Sequence, residues 1–242
     1  MSVNNGPQLG MRKTRRSRLL HLGLSAAAVL TPVSPLNAEL AISQLIVELK
    51  PGSSRAHDVE LSNDSPERTY VSIEPREIVD PGTPNERSFV SPDPEKLGLL
   101  VSPRRVILEP GQRRTLRIAS IGSNASSERV YRVTVKPVVG EVEGETGLKL
   151  LVGYDLLVLA RPTNTRPALT ASRNGTSLTI TNRGNASVEL TDGTQCRSTG
   201  RDCVKMPGKR LYAGASWRQT LPCAGSGEYR VRSSGDSSTL KF

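Results

Sequence analysis

The sequence is poor in histidine and in aromatic residues, and each scarcity argues against a class of function. Histidine occurs twice, and aromatic residues make up 3% of the chain. A Ser-His-Asp or Cys-His catalytic device would have to use His57, because the other histidine lies in the N-terminal segment. No nucleophile motif lies near His57, so we interpret it as a surface residue. Nucleic-acid binding is disfavoured too, because stacking aromatics are few and the basic residues are scattered.

Recognisable metal and phosphate motifs are also absent from the sequence. The three cysteines do not follow zinc-site spacing, and we predict no metal and no cofactor. No glycine-rich phosphate loop precedes a helix, since no 3.6-residue apolar period follows residue 38. Glu74, Glu77 and Asp80 are close in sequence, as the paired carboxylates of a glycosidase can be, but we interpret them as a solvated loop rim. We therefore predict that the chain is not an enzyme and has no small-molecule substrate.

Residues 1–38 have the composition of a secretory signal peptide. The formal net charge is +10, but five basic and no acidic residues lie in this segment, which leaves 28 basic and 23 acidic residues in the rest. A basic stretch, MRKTRRSRLL, is followed by the apolar LLHLGLSAAAVL and the turn-rich SPLNA. We predict cleavage after Ala38, with Met11 as an alternative start. The alternatives are a membrane anchor and, through Arg15 and Arg16, twin-arginine export.

Export to an oxidising compartment allows the cysteines to form a disulfide. Cys196 and Cys203 lie seven positions apart in TQCRSTGRDC, with glycine and serine between them. This spacing predicts a small disulfide loop, which leaves Cys223 as a free thiol.

Short strands separated by turns dominate the chain from Glu39 onward. Apolar and β-favouring residues recur, at a spacing of about 8–12 residues, in AISQLIVEL, HDVELSN, TYVSIEP, RRVILEP, RRTLRIA and RVYRVTVKPV. The segment DPGTPNERSFVSPDPEKLG is rich in proline and glycine, and it is predicted to be a loop. Together these patterns predict an antiparallel β-sandwich.

A proline-stiffened linker, ARPTNTRPAL, follows these strands at 160–169. Strand signals then restart in SLTITN, ASVELT, RLYAGASWRQTL and GEYRVRSS. Within this part, LTITNRGNASVEL is predicted to form a strand, a turn and a second strand of one hairpin. We predict an all-β chain of two sandwich domains, residues 39–162 and 163–242, that meet near the linker.

Three motifs, LLVSPRRVILEPGQRRTLRIAS, Arg161-Pro162 and LTITNRGNASVEL, resemble those of the PapD-like periplasmic chaperones of the chaperone–usher pilus pathway. The block LLVSPRRVILEPGQRRTLRIAS resembles a sequence core of that family. Arg161-Pro162 resembles the pair that closes the first domain of its members, and LTITNRGNASVEL resembles their second-domain hairpin. The resemblance extends over nearly all of the chain after residue 38. The matching residues are Pro103, Leu108, Pro110, Gly111, Arg117, Ile118, Asn182, Gly184 and Asn185.

The resemblance implies two immunoglobulin-like β-sandwich domains in a boomerang arrangement and a location in the periplasm. Such chaperones bind pilin subunits, each of which is a sandwich that lacks its last strand. The chaperone lends a strand to the open groove of this sandwich and delivers the subunit to an outer-membrane usher. The resemblance also allows a self-capping oligomer of the free chaperone.

The run GLKLLVGYDLLVLARP, residues 147–162, is the donor strand that the resemblance implies. It is shorter than the roughly 20 apolar residues of a membrane span. Counting back from Pro162 places Leu148, Leu150 and Val152 on one face, which a pilin would cover. The remainder, LLVLA, is expected in the core of the chain itself. From the residues alone, the alternative is a central sandwich strand that is buried on both faces.

The chain departs from the family at the cations that hold the C-terminal carboxylate of the pilin. Family members use an arginine in the first strand and a lysine five residues before the closing proline. Here these positions correspond to Leu45 or Ile46 and to Leu157. A carboxylate still requires a cation, preferably a bidentate arginine. The candidates are Arg132, Lys149 and Lys136.

The sequence therefore predicts a pilus-assembly chaperone that works by strand donation. The main alternative is a secreted structural pilus component or a surface adhesin. A self-polymerising pilin would need an extended donor segment after the signal, whereas Glu39 to Leu49 is inseparable from the first domain. An enzyme comes third.

Overall fold

The computed structural model describes residues 40–52, 55–122, 125–138, 151–197 and 201–242, with the backbone alone at Arg201. The predicted signal peptide lies outside these ranges, as do Leu148, Lys149 and Leu150. The described residues form strands in four sheets and one short helix. Within those ranges, no helix is long and apolar enough to cross a membrane.

The described residues from Leu40 to Ala160 form a sandwich of two sheets. One sheet has the strand order β1-β3-β8-β6, and the other has the order β2-β10-β9-β4-β5, with β7 also paired to β4. All of these pairs are antiparallel except β2 with β10, which is parallel. The elements are β1 (Leu40–Ile42), β2 (Ile46–Leu49), β3 (Ala56–Asn63), β4 (Thr69–Val79), β5 (Arg87–Phe89), α1 (Pro94–Leu97), β6 (Leu99–Ser102), β7 (Arg105–Leu108), β8 (Arg113–Ser120), β9 (Arg129–Val138) and β10 (Tyr154–Ala160).

Alternating burial explains why these segments are strands. In β9, Tyr131, Val133 and Val135 are fully buried between the sheets, while Arg132 and Thr134 are partly exposed on the other face. Successive side chains of a strand point to opposite faces, so one face joins the core and the other stays polar. The alternation predicted for RVYRVTVKPV is confirmed.

The first predicted strand, AISQLIVEL, is divided between the two sheets. Its first part, β1, pairs with β3, whereas its second part, β2, pairs with β10 in the opposite sheet. Leu40, Val47 and Leu49 all reach the same core. The chain therefore crosses from one sheet to the other between Ile42 and Ile46, and both strands contribute to the same core.

The segment predicted as a loop after β4 contains two regular elements. β5 pairs with the end of β4, and α1 is a single helical turn. The side chain of Asp93 caps α1 by accepting a hydrogen bond from the Glu95 N–H at 2.9 Å. Gly98 ends α1 with a φ of 76°, at a point where an added Cβ would clash with Nη1 of Arg129. The prediction of a loop is therefore wrong for these two elements, which the proline-rich composition of the segment did not indicate.

The described residues from Leu169 onward form a second, smaller sandwich. A three-stranded sheet has the order β11-β12-β16, and the facing sheet has the order β14-β13-β17-β18, with β15 also paired to β13. Leu178, Ile180, Val188, Leu190 and Tyr229 are fully buried between them. The strands are β11 (Leu169–Asn174), β12 (Ser177–Asn182), β13 (Val188–Arg197), β14 (Arg201–Met206), β15 (Lys209–Leu211), β16 (Ser216–Thr220), β17 (Gly227–Ser233) and β18 (Asp236–Lys241).

The predicted hairpin LTITNRGNASVEL is instead a crossover between sheets. Its first strand, β12, and its second, β13, lie in different sheets of the smaller sandwich. Asn182 shapes the connection, because its side chain donates to the carbonyls of Ala186 and Leu211 and accepts from the Gly184 N–H. The motif residues therefore hold a turn, but this turn joins the two layers.

Two immunoglobulin-like sandwiches, each with its own core, confirm the predicted fold class. Cys196 and Cys203 form the predicted disulfide, and Cys223 is the free cysteine among the described residues. The exact domain limits, 39–162 and 163–242, stay a prediction.

Candidate functional site

The outward face of the sheet β10-β9-β4 presents side chains in rows across the strands. Strand register defines these rows, because residues directly opposite each other share a face. The row nearest the second sandwich contains Leu159, Val130 and Ile78. Tyr212 of the second sandwich packs against this row, and Val130 and Leu159 are buried there. This end of the face is therefore an apolar contact between the two domains.

Arg132 occupies the next row, between Leu157 and Arg76. Arg76 donates from Nη2 to Oδ2 of Asp155 at 2.9 Å, and Nε of Arg132 lies 3.9 Å from the same oxygen. The hydroxyl of Thr134 bridges Arg76 and Asp155, since it accepts a hydrogen bond from Nη1 of Arg76 at 2.6 Å and donates one to Oδ1 of Asp155 at 2.8 Å. Two guanidinium groups against one carboxylate leave a net positive charge on this row.

The sequence predicted Arg132 but not Arg76. Arg76 follows Pro75 in EPREI, and acidic neighbours in that stretch suggested a loop. β4 in fact continues through Pro75 to Val79, which brings Arg76 beside Arg132. The sequence position of Arg76 could have identified it, because residues 72, 74 and 76 alternate along one strand and share its outward face.

Apolar side chains flank the two arginines on the side of β2. Ile46 lies directly across from Leu157, and the Leu157 N–H donates to the carbonyl of Leu45 at 2.9 Å. Leu45 and Ile46 are 51% and 49% exposed, whereas Leu157 is only 6% exposed. The positions at which the resemblance led us to expect cations are therefore apolar and lie beside Arg132.

Lys136, another candidate, is engaged by Glu74. Nζ of Lys136 lies 3.0 Å from Oε1 of Glu74 across neighbouring strands. The hydrogen bond from Lys136 lowers the pKa of the Glu74 carboxyl. Lys149, the third candidate, lies outside the described residues. Of the three candidates, Arg132 is the one that lies beside Arg76 on the outward face of the sheet.

The predicted donor strand is described only from Leu151 onward. Val152 is 48% exposed, while Leu148 and Leu150 lie outside the described residues. In β10 the even-numbered residues Leu156 and Val158 join the main core. An extended strand that continued toward residue 148 would present Leu148, Leu150 and Val152 on that same side.

One edge of β10 is only partly covered. β9 pairs with the whole of β10, from Tyr154 to Ala160, whereas β2 pairs only with Leu157 to Ala160 on the other side. Among the described strands, none pairs with Tyr154 to Leu156 on the β2 side. An uncovered strand edge offers backbone hydrogen-bonding groups to another chain.

Arg161 ties the two domains together immediately after β10. Its Nη2 donates to Glu48 at 2.7 Å, and its Nη1 donates to Glu128 and, at 3.1 Å, to the carbonyl of Ser187. The side chains of Arg161 and Glu128 are 3% and 2% exposed. Burial raises the pKa of Glu128, and the charge of Arg161 opposes that rise. Both members of this buried pair also contact Ser187, so the pair lies at the junction of the two sandwiches.

Asn185 fixes the linker in the same region. Its side chain donates to the carbonyls of Ser126 and Asn164, each at 2.8 Å, and accepts from the Arg166 N–H at 2.7 Å. Gly184 lies so close to the linker that an added Cβ would be 2.5 Å from the carbonyl oxygen of Arg166. Asn185 and Gly184 of the resembling motif therefore position the link between domains.

The carboxylates that were considered for catalysis lie in separate ion pairs. The prediction of a loop rim is wrong for Glu74 and Glu77, which belong to β4. Glu77 accepts two hydrogen bonds from Arg129, at 2.8 and 2.7 Å, and Asp80 pairs with Arg87 at 3.0 Å. In the described ranges, no group of three or more His, Cys, Asp or Glu residues could hold a metal ion.

A second exposed surface lies at the far end of the same sheet. Tyr70 of β4 is directly opposite both Ile107 of β7 and Val138 of β9, and all three are about half exposed. We call Tyr70, Ile107 and Val138 the apolar row. Arg105 and Lys136 border this row. A single exposed apolar residue is ordinary, but a contiguous row on one face is typical of a contact surface.

Two curated proteins of Escherichia coli are similar to the chain along most of its length. One, a CFA/I fimbrial subunit, is 30% identical over 192 residues, which cover 75% of this chain and 79% of that protein. The other, a CS1 fimbrial subunit, is 28% identical over 193 residues, which cover 74% and 79%. No family model matches the chain.

Solved structures share the fold across both domains. The class 5 fimbriae chaperone CfaA is 26% identical, with a TM-score of 0.65 over 84% of this chain and 97% of that one. The Salmonella enterica SafA pilin in complex with the SafB chaperone gives a TM-score of 0.60 at 19% identity, over 86% and 98%. At that lower identity the likeness concerns the fold alone.

Proposed function

Because the chain belongs to the PapD-like chaperones of the chaperone–usher pathway, we propose that it binds fimbrial subunits in the periplasm and lends them part of the run 147–162. The half-covered edge of β10 carries this proposal. A strand of the pilin can add to that edge through main-chain hydrogen bonds, while alternate apolar side chains fill its groove. The SafB chaperone, which shares the fold, forms a complex with a pilin.

Leu148, Leu150 and Val152 are the donated side chains in this proposal. They are separated from Leu156 and Val158 by even numbers of residues, so in an extended strand they share the face that joins the core. A pilin core added there would extend the core of the first domain. Val152, the one described member, is about half exposed in the free chain. Burial in a partner would remove that apolar surface from water.

Arg132, supported by Arg76, is the proposed anchor for the C-terminal carboxylate of the pilin. Both guanidinium groups lie in the row next to the domain contact, and a single carboxylate, Asp155, offsets their charge. Charge-assisted bonds to arginine are strong and directional. Ile46 and Leu157 flank the pair and would exclude water around it.

The apolar row is the surface that we propose for the outer-membrane usher. It lies on the first domain, away from the domain contact, and it remains about half exposed in the free chain. Arg105 borders it, together with the ion pair of Lys136 and Glu74, so the complementary surface of the partner should be mainly apolar with an acidic group near Arg105.

We also propose that the chain acts by binding alone and that residues 1–38 direct it to the periplasm. The chaperone fold is non-enzymatic in its family, and the carboxylates considered for catalysis are engaged by arginine or lysine.

Coexpression of the full chain with its cognate pilin in a bacterial periplasm tests the proposal. The pilin should persist and co-elute with the wild-type chain, and it should be degraded with a Leu150→Ser, Val152→Ser variant. Leu100→Ser, a change of an exposed leucine in the other sheet, is the matched control and should retain the complex. A pilin that survives equally well without the chain, or that binds the double variant normally, would refute strand donation.

A further inference from the structure

The free thiol Cys223 lies beside the disulfide of the second domain. Cys196 and Cys203 are directly opposite each other on β13 and β14, and β14 is an edge strand of its sheet. Sγ of Cys223 is 3.7 Å from the carbonyl oxygen of Cys196, which it approaches as a donor. The three cysteines are therefore neighbours in space, although Cys223 is 27 residues from Cys196 in sequence.

Specific contacts hold the segment 223–226 against Cys196. Nε2 of Gln195 donates to the carbonyls of Cys223 and Gly225, at 2.7 and 2.9 Å. The Cys196 N–H donates to the carbonyl of Ser226 at 3.1 Å. A Cβ at Gly225 would clash with the Cys196 carbonyl oxygen, so only glycine allows this approach. The fold, rather than chance proximity, places the thiol here.

We propose that Cys223 and the Cys196–Cys203 disulfide form a thiol–disulfide exchange site. The thiolate of Cys223 attacks Sγ of Cys196, a Cys196–Cys223 bond forms, and the Cys196–Cys203 bond breaks. Cys203 leaves as a thiolate and takes up a proton, while the proton of Cys223 passes to water. One disulfide and one thiol are present before and after the step, so no oxidant or reductant is consumed.

The exchange changes what the disulfide restrains. The Cys196–Cys203 bond links residues separated by seven positions and joins β13 to the edge strand β14. The exchanged bond closes a longer loop, from Cys196 to Cys223, and frees Cys203 from its covalent link to β13. Cys203 is exposed, so its released thiol is accessible to external disulfides and alkylating reagents.

Alkylation mapping of the full-length wild-type protein tests the exchange directly. The protein is held at pH 8.5, where thiolates are more abundant than at pH 6, and is then treated with iodoacetamide and digested in acid without reduction. Label on Cys203, together with a peptide linked through Cys196 and Cys223, supports the proposal. Label confined to Cys223, with the Cys196–Cys203 bond intact in every chain, overturns it.

Two variants with equal numbers of thiols provide an independent readout. Cys203→Ser leaves Cys196 and Cys223, which should link completely within one chain in oxidised glutathione and lose both alkylation sites. Cys196→Ser leaves Cys203 and Cys223 and should keep both sites open to reagents. If Cys203→Ser keeps two reactive thiols, or if Cys196→Ser links as fast, attack at Cys196 is wrong. Wild-type mapping decides the question if a variant fails to fold.

Discussion

Arg132 on β9 lies directly opposite Arg76 on β4, and both guanidinium groups contact the carboxylate of Asp155 on β10. Like charges at opposite positions of a sheet repel each other, so this arrangement needs the carboxylate. One negative charge cannot neutralise two positive charges, so the pair carries a net positive charge that a second anion would neutralise. In the proposed complex, that anion is the C-terminal carboxylate of the pilin.

Arg132→Ala should weaken binding of the pilin and leave the free chain stable. Loss of a charge-assisted hydrogen bond costs about 1.5–3 kcal/mol, or roughly 10- to 150-fold in Kd. Because the side chain is partly exposed, the free energy of unfolding should change by less than about 0.5 kcal/mol. Calorimetric titration of the pilin into the variant measures the first effect, and denaturant unfolding measures the second.

Arg113→Ala is the control for this change, since Arg113 forms an exposed ion pair with Glu60 in the other sheet. It should leave binding of the pilin unchanged. Equal losses for Arg113→Ala and Arg132→Ala would mean that only net charge matters.

Serine at Leu150 and serine at Leu157 should have opposite effects on folding and binding. Leu157 is buried against Val130 and Leu159, so Leu157→Ser should destabilise the free chain by a few kcal/mol, about 2–5. Leu150→Ser should leave the melting temperature unchanged but abolish capture of the pilin. Thermal melts of each variant alone, followed by pilin capture, separate the two. Equal destabilisation by both changes would identify the run as a core strand only.

Arg161→Ala should destabilise the protein by about 3–5 kcal/mol at neutral pH, because it leaves the buried carboxylate of Glu128 without its partner. Denaturant unfolding measures the loss. The double variant Arg161→Ala, Glu128→Gln should recover part of it, since no buried charge remains. If the double variant is no more stable than the single one, the loss arises from packing and not from charge.

The stability deficit of Arg161→Ala should shrink as the pH falls. Burial already raises the folded-state pKa of Glu128 above its unfolded value, and removal of the opposing arginine raises this pKa further. A carboxyl whose pKa is raised in the folded state binds its proton more tightly there. Its ionisation therefore destabilises the folded state only above the unfolded pKa. The cost grows as the pH rises toward the folded-state pKa and then levels off. Unfolding of both proteins across the acidic range, compared at each pH, gives the difference. A deficit that grows toward acid would contradict this sign.

Ile107→Asp in the apolar row should block pilus assembly without affecting pilin capture. Ile107 is about half exposed, so the free energy of unfolding should change by less than about 0.5 kcal/mol. It also lies far along the sheet from Arg76 and Arg132. Co-elution with the pilin should be normal, whereas surface pili should be lost. Leu100→Asp, on the other sheet, serves as the comparison and should assemble pili. Pili on cells with Ile107→Asp would exclude the row as the usher surface.

Local pattern was informative where one strand faces one core. RVYRVTVKPV alternates apolar and polar residues, and the structure buries the predicted residues because a strand can present only two faces. Pattern was misleading for LTITNRGNASVEL, where a short polar connection between two strands suggested a hairpin. The same connection joins different sheets here, since Asn182 satisfies the backbone groups of the turn. Side-chain hydrogen bonds of this kind are invisible in a hydrophobic pattern.

The sequence by itself determined the all-β character, the two sandwiches, the small disulfide loop and the apolar run before Arg161-Pro162. Each of these follows from nearest neighbours along the chain, through alternation, turn residues and cysteine spacing. Only the tertiary structure decided which residues share a row. Arg76 and Asp155 are 79 positions apart and meet across β9, because the register of three strands aligns them. Register depends on how two strands pack into one core, and no single strand carries that information.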